Sequence, residues 1–533
     1  MSDALAKKIL SFLFPLLASI LSAVLLIFSF PPYEVYWLAW VSLVPLLVAI
    51  SGRGPTVSFL LSCICVMIFF AEVFSFVFKV PGYKLFHHAL LDLYLGPLCA
   101  LFGLAYSYIC KRCSGTMALF AVPFAWVCLE YIRANFGFLA FPWVFLSHSQ
   151  YKALSIIQIA SLAGGYGVSF LIVMVNSAIA AVVLYSLHSL RKGPSSVTLP
   201  ISKRGVVFLS VTAALLLILS MLYGRGLMSS PVDGEDIKVA VVQGNIPQSM
   251  KWDRRHAKFI VRTYSDLTLE ASKGNPALIM WPESATPGPI GLNRRLHREV
   301  RLITEKAGSY LLLGSSSHQK LKTGNGRALS NSAFLFSPNP GARRQRYDKI
   351  RLFPFGEYLP LEDSIPWAWI NVPNIPSFSP GKEFTVFQGP GFRFGVTICW
   401  EILFSEMVRE FVKEGAQFIV NITNEAWFGD TVGPYHMVTS SVFRAVENRV
   451  YVVRCANTGI SCFIDAQGRI IDRIKDASGK DTFVRGVLNG TVMPMESGTI
   501  YTRYGDLLVW LSFAITAAFL ALAILRKRPG SRS

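Results

Sequence analysis

Apolar runs about as long as a bilayer is thick constrain this chain more than any other feature. They lie at roughly 9–29, 35–50, 56–78, 87–110, 117–134, 163–188, 205–223 and 506–525. A helix needs about 20 mostly apolar residues to cross about 30 Å of hydrocarbon, and lipid offers no partner to an unpaired backbone group. The second run is short and the fifth carries Glu130 near its end, so the expectation is a polytopic domain of about eight transmembrane helices. Composition agrees. Of 533 residues, 52% are hydrophobic and 16% charged, against about a quarter charged in an ordinary soluble protein. The first run is long and directly followed by others, which argues against a cleaved signal peptide.

Basic residues set the orientation, because short cytoplasmic loops collect Lys and Arg. With the N-terminus inside, the inner side receives thirteen of them, among them Lys7, Lys111, Arg191 and Arg526. The short outer loops receive four: Lys79, Lys84, Arg133 and Lys152. That bias places residues 224–505 outside. The expected organisation is a transmembrane domain of about seven helices over 1–223, an extramembrane domain over 224–505, and a last helix with a basic tail over 506–533. The net charge of +19 is then partly topogenic, and nucleic acid is not expected as a partner. Of nine cysteines, six fall in the membrane half, so no disulfide framework is implied. "CKRC" at 110–113 has a metal or redox spacing but lacks a second pair. The exported part keeps Cys399, Cys455 and Cys462, an odd number in an oxidising compartment.

From residue 236 short β-rich runs alternate with amphipathic stretches. Strands are expected at 237–246, 277–284, 310–317, 332–338, 392–399, 416–426 and 450–459, and helices at 253–272, 292–308 and 403–414. Alternation plus adjacent strand pairs near 310–338 and 450–475 predicts an α/β layered sandwich. Three polar residues stand where its strands or loops end: Glu283 after "LIMWP", Lys349 in "RYDKIRLFPFGEYLP", and Cys399 at the end of "FRFGVTIC". Strand ends are where α/β domains collect reacting groups. A carboxylate there takes a thiol proton, and an ammonium holds a thiolate or an oxyanion. A helix starting after Cys399 is expected to favour the thiolate. Each residue alone reads equally as core filler or solvated surface.

The flanking residues decide between these. "WPE" (281–283), "YDKIRLFPFGEY" (347–358) and "CWE" (399–401), in that order, resemble the nitrilase superfamily over roughly 237–490. The resemblance implies an αββα sandwich with Glu283 as general base, Lys349 as oxyanion-stabilising cation and Cys399 as nucleophile. Glu357, Glu401 and Asn331 are implied as supporting residues. Further blocks are "VVQGNIPQSMKW" (241–252), "NSAFLF" (331–336), "NEAWFG" (424–429) and "RAVENRVYVVRCANTG" (444–459), with "FPW" (141–143) and "GGYGVSF" (164–170) in the membrane half. With these the chain resembles the membrane-anchored branch of that superfamily, the apolipoprotein N-acyltransferases of bacterial lipoprotein maturation. One departure is Glu425, a methylene longer than the usual acidic residue of its block.

That resemblance implies acyl transfer from a phospholipid, phosphatidylethanolamine, to the N-terminal amine of a diacylglyceryl-cysteine lipoprotein. It implies an inner-membrane monomer that uses no metal and no cofactor. Lipid-handling loops are expected at 353–376, with Trp367 and Trp369, and at 426–436, with Trp427 and Phe428; Trp252 joins them from its own block. A membrane-tethered amidase that releases its acyl group to water is the main competing reading. A transporter with a sensory outer domain is another, but the spans carry few charges to mark a pathway: Glu72, Asp92 and Glu130. The orientation is directly testable. A reporter active only outside the cytoplasm should work when fused near Asp233 and fail near Gly193; the opposite pattern would overturn the charge-based orientation.

Overall fold

A computed structural model describes residues 3–190, 201–230, 234–251, 253–320, 327–339, 341–342, 344–362, 364–365, 377–496 and 498–526. The chain forms two compact units, Met1–Ser75 with Tyr83–Ser229 and Asp506–Ser533, and Phe76–Gly82 with Ser230–Gly505.

The first unit is helical: α1 (Asp3–Phe28), α2 (Val44–Ile50), α3 (Pro55–Val73), α4 (Leu85–Arg112), α5 (Gly115–Asn135), α6 (Ala160–Leu190), α7 (Lys203–Ser229) and a last helix, Leu507–Leu525. Among the described residues six are long and apolar enough to cross a membrane: α3 to α7 and the last. The apolar parts of α1 and of 36–50 are shorter. The run at 35–50 departs from a simple span. It is a 3-10 turn, Tyr36–Trp40, followed by seven-residue α2, which rises only about 10 Å. Side chains replace the helical bonds lost at the break. The Leu43 amide donates to Asn176 Oδ1 at 2.8 Å, Asn176 Nδ2 donates to the Ala39 carbonyl at 2.9 Å, and the Leu46 amide donates to Ser22 Oγ at 2.8 Å. Irregular backbone in a membrane unit is tolerated when protein satisfies it in this way. The "FPW" segment is held likewise: buried Arg133 donates to the Phe141 and Trp143 carbonyls at 2.9 and 2.5 Å.

The second unit contains two six-stranded sheets. The first is built from β1 (Ile237–Gln243), β2 (Leu278–Met280), β3 (Tyr310–Lys320), β4 (Arg327–Phe336) and β5 (Gln345–Asp348). The second comprises β6 (Phe387–Gly389), β7 (Phe392–Ile398), β8 (Phe418–Thr423), β9 (Tyr451–Ala456), β10 (Cys462–Ile464) and β11 (Ile470–Arg473). The chain then returns to the first sheet as β12 (Gly486–Val492), giving orders β12-β1-β2-β3-β4-β5 and β11-β10-β9-β8-β7-β6. Helices α8 (Ala257–Ser272) and α9 (Arg294–Ala307) cover the first sheet, where Ile260, Tyr264, Leu296 and Val300 share a core with Val242, Ile279, Leu311 and Phe334. Helices α10 (Ser405–Lys413) and α11 (Gly433–Asn448) pack on the second. This is the expected αββα sandwich. β7, β8 and β9 are parallel, and β8 and β9 are buried throughout, which is why both read as largely apolar runs, interrupted by Asn421 in one and Arg454 in the other.

Candidate active site

Three strand ends deliver the expected catalytic residues. β2 stops because Pro282 cannot donate to the ladder, and Glu283 follows. Gly314 of β3 lets the two backbones close up, since a Cβ there would stand 2.6 Å from the Glu283 Cα. Lys349 follows β5, its amide donating to the Asn331 carbonyl at 2.8 Å. Cys399 follows β7 and turns the chain with φ +58°, a left-handed conformation that costs a non-glycine residue about 1–3 kcal/mol.

These ends converge on one buried ammonium. Lys349 Nζ lies 2.8 Å from Glu357 Oε2 and 3.6 Å from Glu283 Oε1, with its side chain 1% exposed. Asn331 clamps both carboxylates, Nδ2 donating at 2.7 Å to Glu283 Oε1 and at 2.7 Å to Glu357 Oε1. The Asn424 amide donates to Glu283 Oε2 at 2.8 Å, and the Phe353 amide to Glu357 Oε2 at 2.7 Å. Burial works against the Lys349 ammonium, but the charges of Glu357 and Glu283 outweigh it and carry the group above its ordinary value. Burial pushes the Cys399 thiol well up, the Glu283 charge adds to this, and the Lys349 ammonium opposes it. Both shifts favour a charged lysine beside a neutral thiol.

Glu401 stands behind the site. Its carboxylate accepts from the Ile350 and Arg351 amides at 2.7 and 2.9 Å, from the Ile398 amide at 2.8 Å, and from the Tyr347 hydroxyl at 3.0 Å. It thus staples the loop after Lys349 to the elbow that carries Cys399. The indole of Trp400 adds a second tie, donating to the Arg351 carbonyl at 2.6 Å.

Some expectations need correction or fall elsewhere. No α-helix starts at Cys399: a 3-10 turn, Cys399–Leu403, intervenes before α10, so the helix N-terminus expected to favour a thiolate is not there. Trp427 is 44% exposed rather than core, and the Phe428 ring packs edge-on against Phe76 with centroids 5.2 Å apart. Trp252, Trp367 and Trp369 lie outside the described residues. Among the described residues no group of three or more His, Cys, Asp or Glu side chains is placed to hold a metal ion. The sequence reading passed over Asn424 and Lys251, although both lie in quoted blocks. Lys251 is buried, donates to the Glu283 carbonyl at 3.2 Å, and is pushed by burial down to about 7 against the pull of Glu283. In "PQSMKW" it reads as a solvated loop lysine.

Sequence comparisons define the class. Residues 238–488 match the carbon-nitrogen hydrolase family model, and residues 22–178 match the apolipoprotein N-acyltransferase N-terminal domain. The protein is a membrane-embedded acyltransferase with a nitrilase-type unit. The apolipoprotein N-acyltransferase of Geobacter metallireducens is 36% identical over 521 residues, covering 96% of this chain and 95% of its own. That of Chlorobaculum tepidum is 29% identical, covering 96% and 97%. A solved amidase from Nesterenkonia sp. is 19% identical over 50% of this chain and 93% of its own, with a TM-score of 0.36. The chain belongs to the apolipoprotein N-acyltransferase family.

The electrostatics of the site predict a pH profile. In lipid-free protein, alkylation of Cys399 by iodoacetamide, followed by peptide mapping, should have its midpoint above the roughly 8.5 of an ordinary thiol. Lys349→Ala removes the opposing ammonium and should move it higher. A midpoint below that of an ordinary thiol, or one that falls in Lys349→Ala, would show a resting thiolate instead.

Proposed function

We propose that this acyltransferase moves a fatty acyl chain from a membrane phospholipid, phosphatidylethanolamine, to the α-amine of a diacylglyceryl-cysteine lipoprotein through a thioester on Cys399. The observation that carries this reading is the buried ammonium of Lys349, held by Glu283 and Glu357 at the strand ends that also present Cys399. A neutral thiol needs a base in the step in which it attacks. Glu357 is the carboxylate closer to the ammonium, at 2.8 Å against 3.6 Å for Glu283, and the looser contact of Glu283 together with its place in the "WPE" block supports it in that role.

Cys399 Sγ attacks the ester carbonyl as its proton passes to Glu283, and Lys349 faces the oxyanion that forms. Collapse breaks the ester C–O bond, Glu283 returns the proton to the leaving alkoxide, and the lysophospholipid departs. The neutral lipoprotein amine then attacks the thioester. Glu283 accepts its proton, the C–S bond breaks, and the proton returns to the thiolate. The amide product and the free thiol close the cycle.

The membrane unit belongs to the same chemistry. Each buried CH₂ is worth about 0.8 kcal/mol, so neither lipid can be drawn far into water. The basic-residue bias supports an inner-membrane protein, with a membrane domain over 1–223 and 506–533 and a periplasmic catalytic domain over 224–505. The exposure of Trp427 supports a lipid-facing loop at 426–436, which also carries Phe428; the second lipid-handling loop of the proposal is 353–376, with Trp367 and Trp369, and Trp252 joins them from its own block.

The test is purified protein with phosphatidylethanolamine and a diacylated lipopeptide, scored by mass spectrometry for triacylated product. Cys399→Ala, Glu283→Gln and Lys349→Ala should each lower transfer at least about a hundredfold. Cys455→Ser and Cys462→Ser should retain most of it. Release of free fatty acid without acylated lipopeptide would mark a hydrolase. Undiminished transfer by Cys399→Ala would refute the nucleophile assignment.

A further inference from the structure

A row of polar side chains crosses the middle of the second sheet, where apolar residues would pack at less cost. In register across β7, β8 and β9 stand Thr397, Asn421 and Arg454. All three are fully buried, as is Glu425 beyond them. A buried guanidinium needs a strong reason, because removing a charge from water is expensive unless it is paired and hydrogen-bonded.

We propose that Asn421, Arg454 and Glu425 are positioning residues that hold the turn on which Cys399 stands. Asn421 Nδ2 donates to the Thr397 carbonyl at 3.1 Å and to the Cys399 carbonyl at 3.0 Å. One nitrogen within reach of both oxygens brings them to about 6 Å or less, tighter than the roughly 6.6 Å two-residue repeat of an extended strand. The amide thus grips the chain on both sides of the point where it leaves the sheet. Arg454 fixes which way that amide points. It only donates, and its Nη1 meets Asn421 Oδ1 at 2.8 Å, so the Nδ2 end must face the carbonyls. Ser441 Oγ takes a further bond from Nη1 at 3.1 Å, and the Ile460 carbonyl one from Nε at 3.4 Å.

Glu425 pairs with Arg454 Nη2 and balances its charge. The space for that carboxylate is built in: a Cβ at Gly459 would collide with Glu425 Oε2. Glu425 therefore acts on the turn through two side chains, Arg454 and Asn421. The planar peptide after Cys399 carries the constraint on to Trp400.

This inference rests on the reading of Cys399 as nucleophile, and the experiment separates the two. The full chain in detergent is compared as wild type, Cys399→Ala, Asn421→Asp, Glu425→Gln and Glu425→Asp. The readouts are kcat and KM for the lipopeptide, the rate of Cys399 acylation by phosphatidylethanolamine alone, and Tm. Asn421→Asp keeps the acceptor for Arg454 but loses the donors to the turn. It should lower kcat by about tenfold to a hundredfold, with KM unchanged and acylation slowed by the same factor. Glu425→Gln, equal in shape, should lower kcat about fivefold, and Glu425→Asp should restore most of the loss. Should Asn421→Asp fail to fold, Glu425→Gln decides. A folded Glu425→Gln with wild-type kcat, or with a lower Tm and kcat intact, would overturn the proposal and leave a purely structural ion pair. Transfer by Cys399→Ala would instead remove the nucleophile reading, and the proposal with it.

Discussion

A lysine ammonium almost entirely out of water sets the terms for the rest of the catalytic unit. Stripping either carboxylate from such a buried pair costs about 3–5 kcal/mol, so Lys349, Glu283 and Glu357 must arrive together or not at all. Glu283 comes from a part of the chain distant from the segment that carries both Lys349 and Glu357, and Asn331 joins the two carboxylates before the lysine is counted. Glu401 then ties the lysine loop to the cysteine elbow through backbone amides from both. The lysine loop and the cysteine elbow are thus tied to each other from behind.

The same burial decides the chemistry. Desolvation and a neighbouring carboxylate raise the Cys399 thiol, so the proposed attack needs a base in the same step. The proposed base, Glu283, is held still by Asn331 on one oxygen and the Asn424 amide on the other. A thioester waiting for an amine must also be kept from water. That demand, which follows from the proposed thioester, fits a membrane-embedded enzyme.

Much of this was legible in the sequence because the physics is local. Continuous apolar runs gave the membrane helices and the buried parallel strands, and Pro282 marked the end of β2. The triad residues were visible as polar groups at strand ends, but only the surrounding blocks raised them above surface residues. What stayed hidden depends on distant partners. The break at 41–43 is stabilised by Asn176, more than 130 positions away. α11 shows little amphipathic period because every residue but Tyr435 is buried, and β12, "GVLNGTV", reads as a loop until it pairs with β1. Glu401 was recognisable beside the cysteine, yet its task as a staple appears only when Ile350 and Arg351 are brought to it. Asn421 and Arg454 gave no signal, since one polar residue in an apolar strand looks like an imperfection.

The central claim is that a covalent acyl group passes through Cys399. Intact mass spectrometry of the wild-type protein incubated with phosphatidylethanolamine, in the absence of lipopeptide, tests it most directly. One fatty acyl group should accumulate, map to the peptide containing Cys399, be removed by hydroxylamine, and be discharged when diacylated lipopeptide is added. A protein that shows no adduct under these conditions, yet transfers rapidly once both substrates are present, would contradict the thioester and indicate direct attack in a ternary complex.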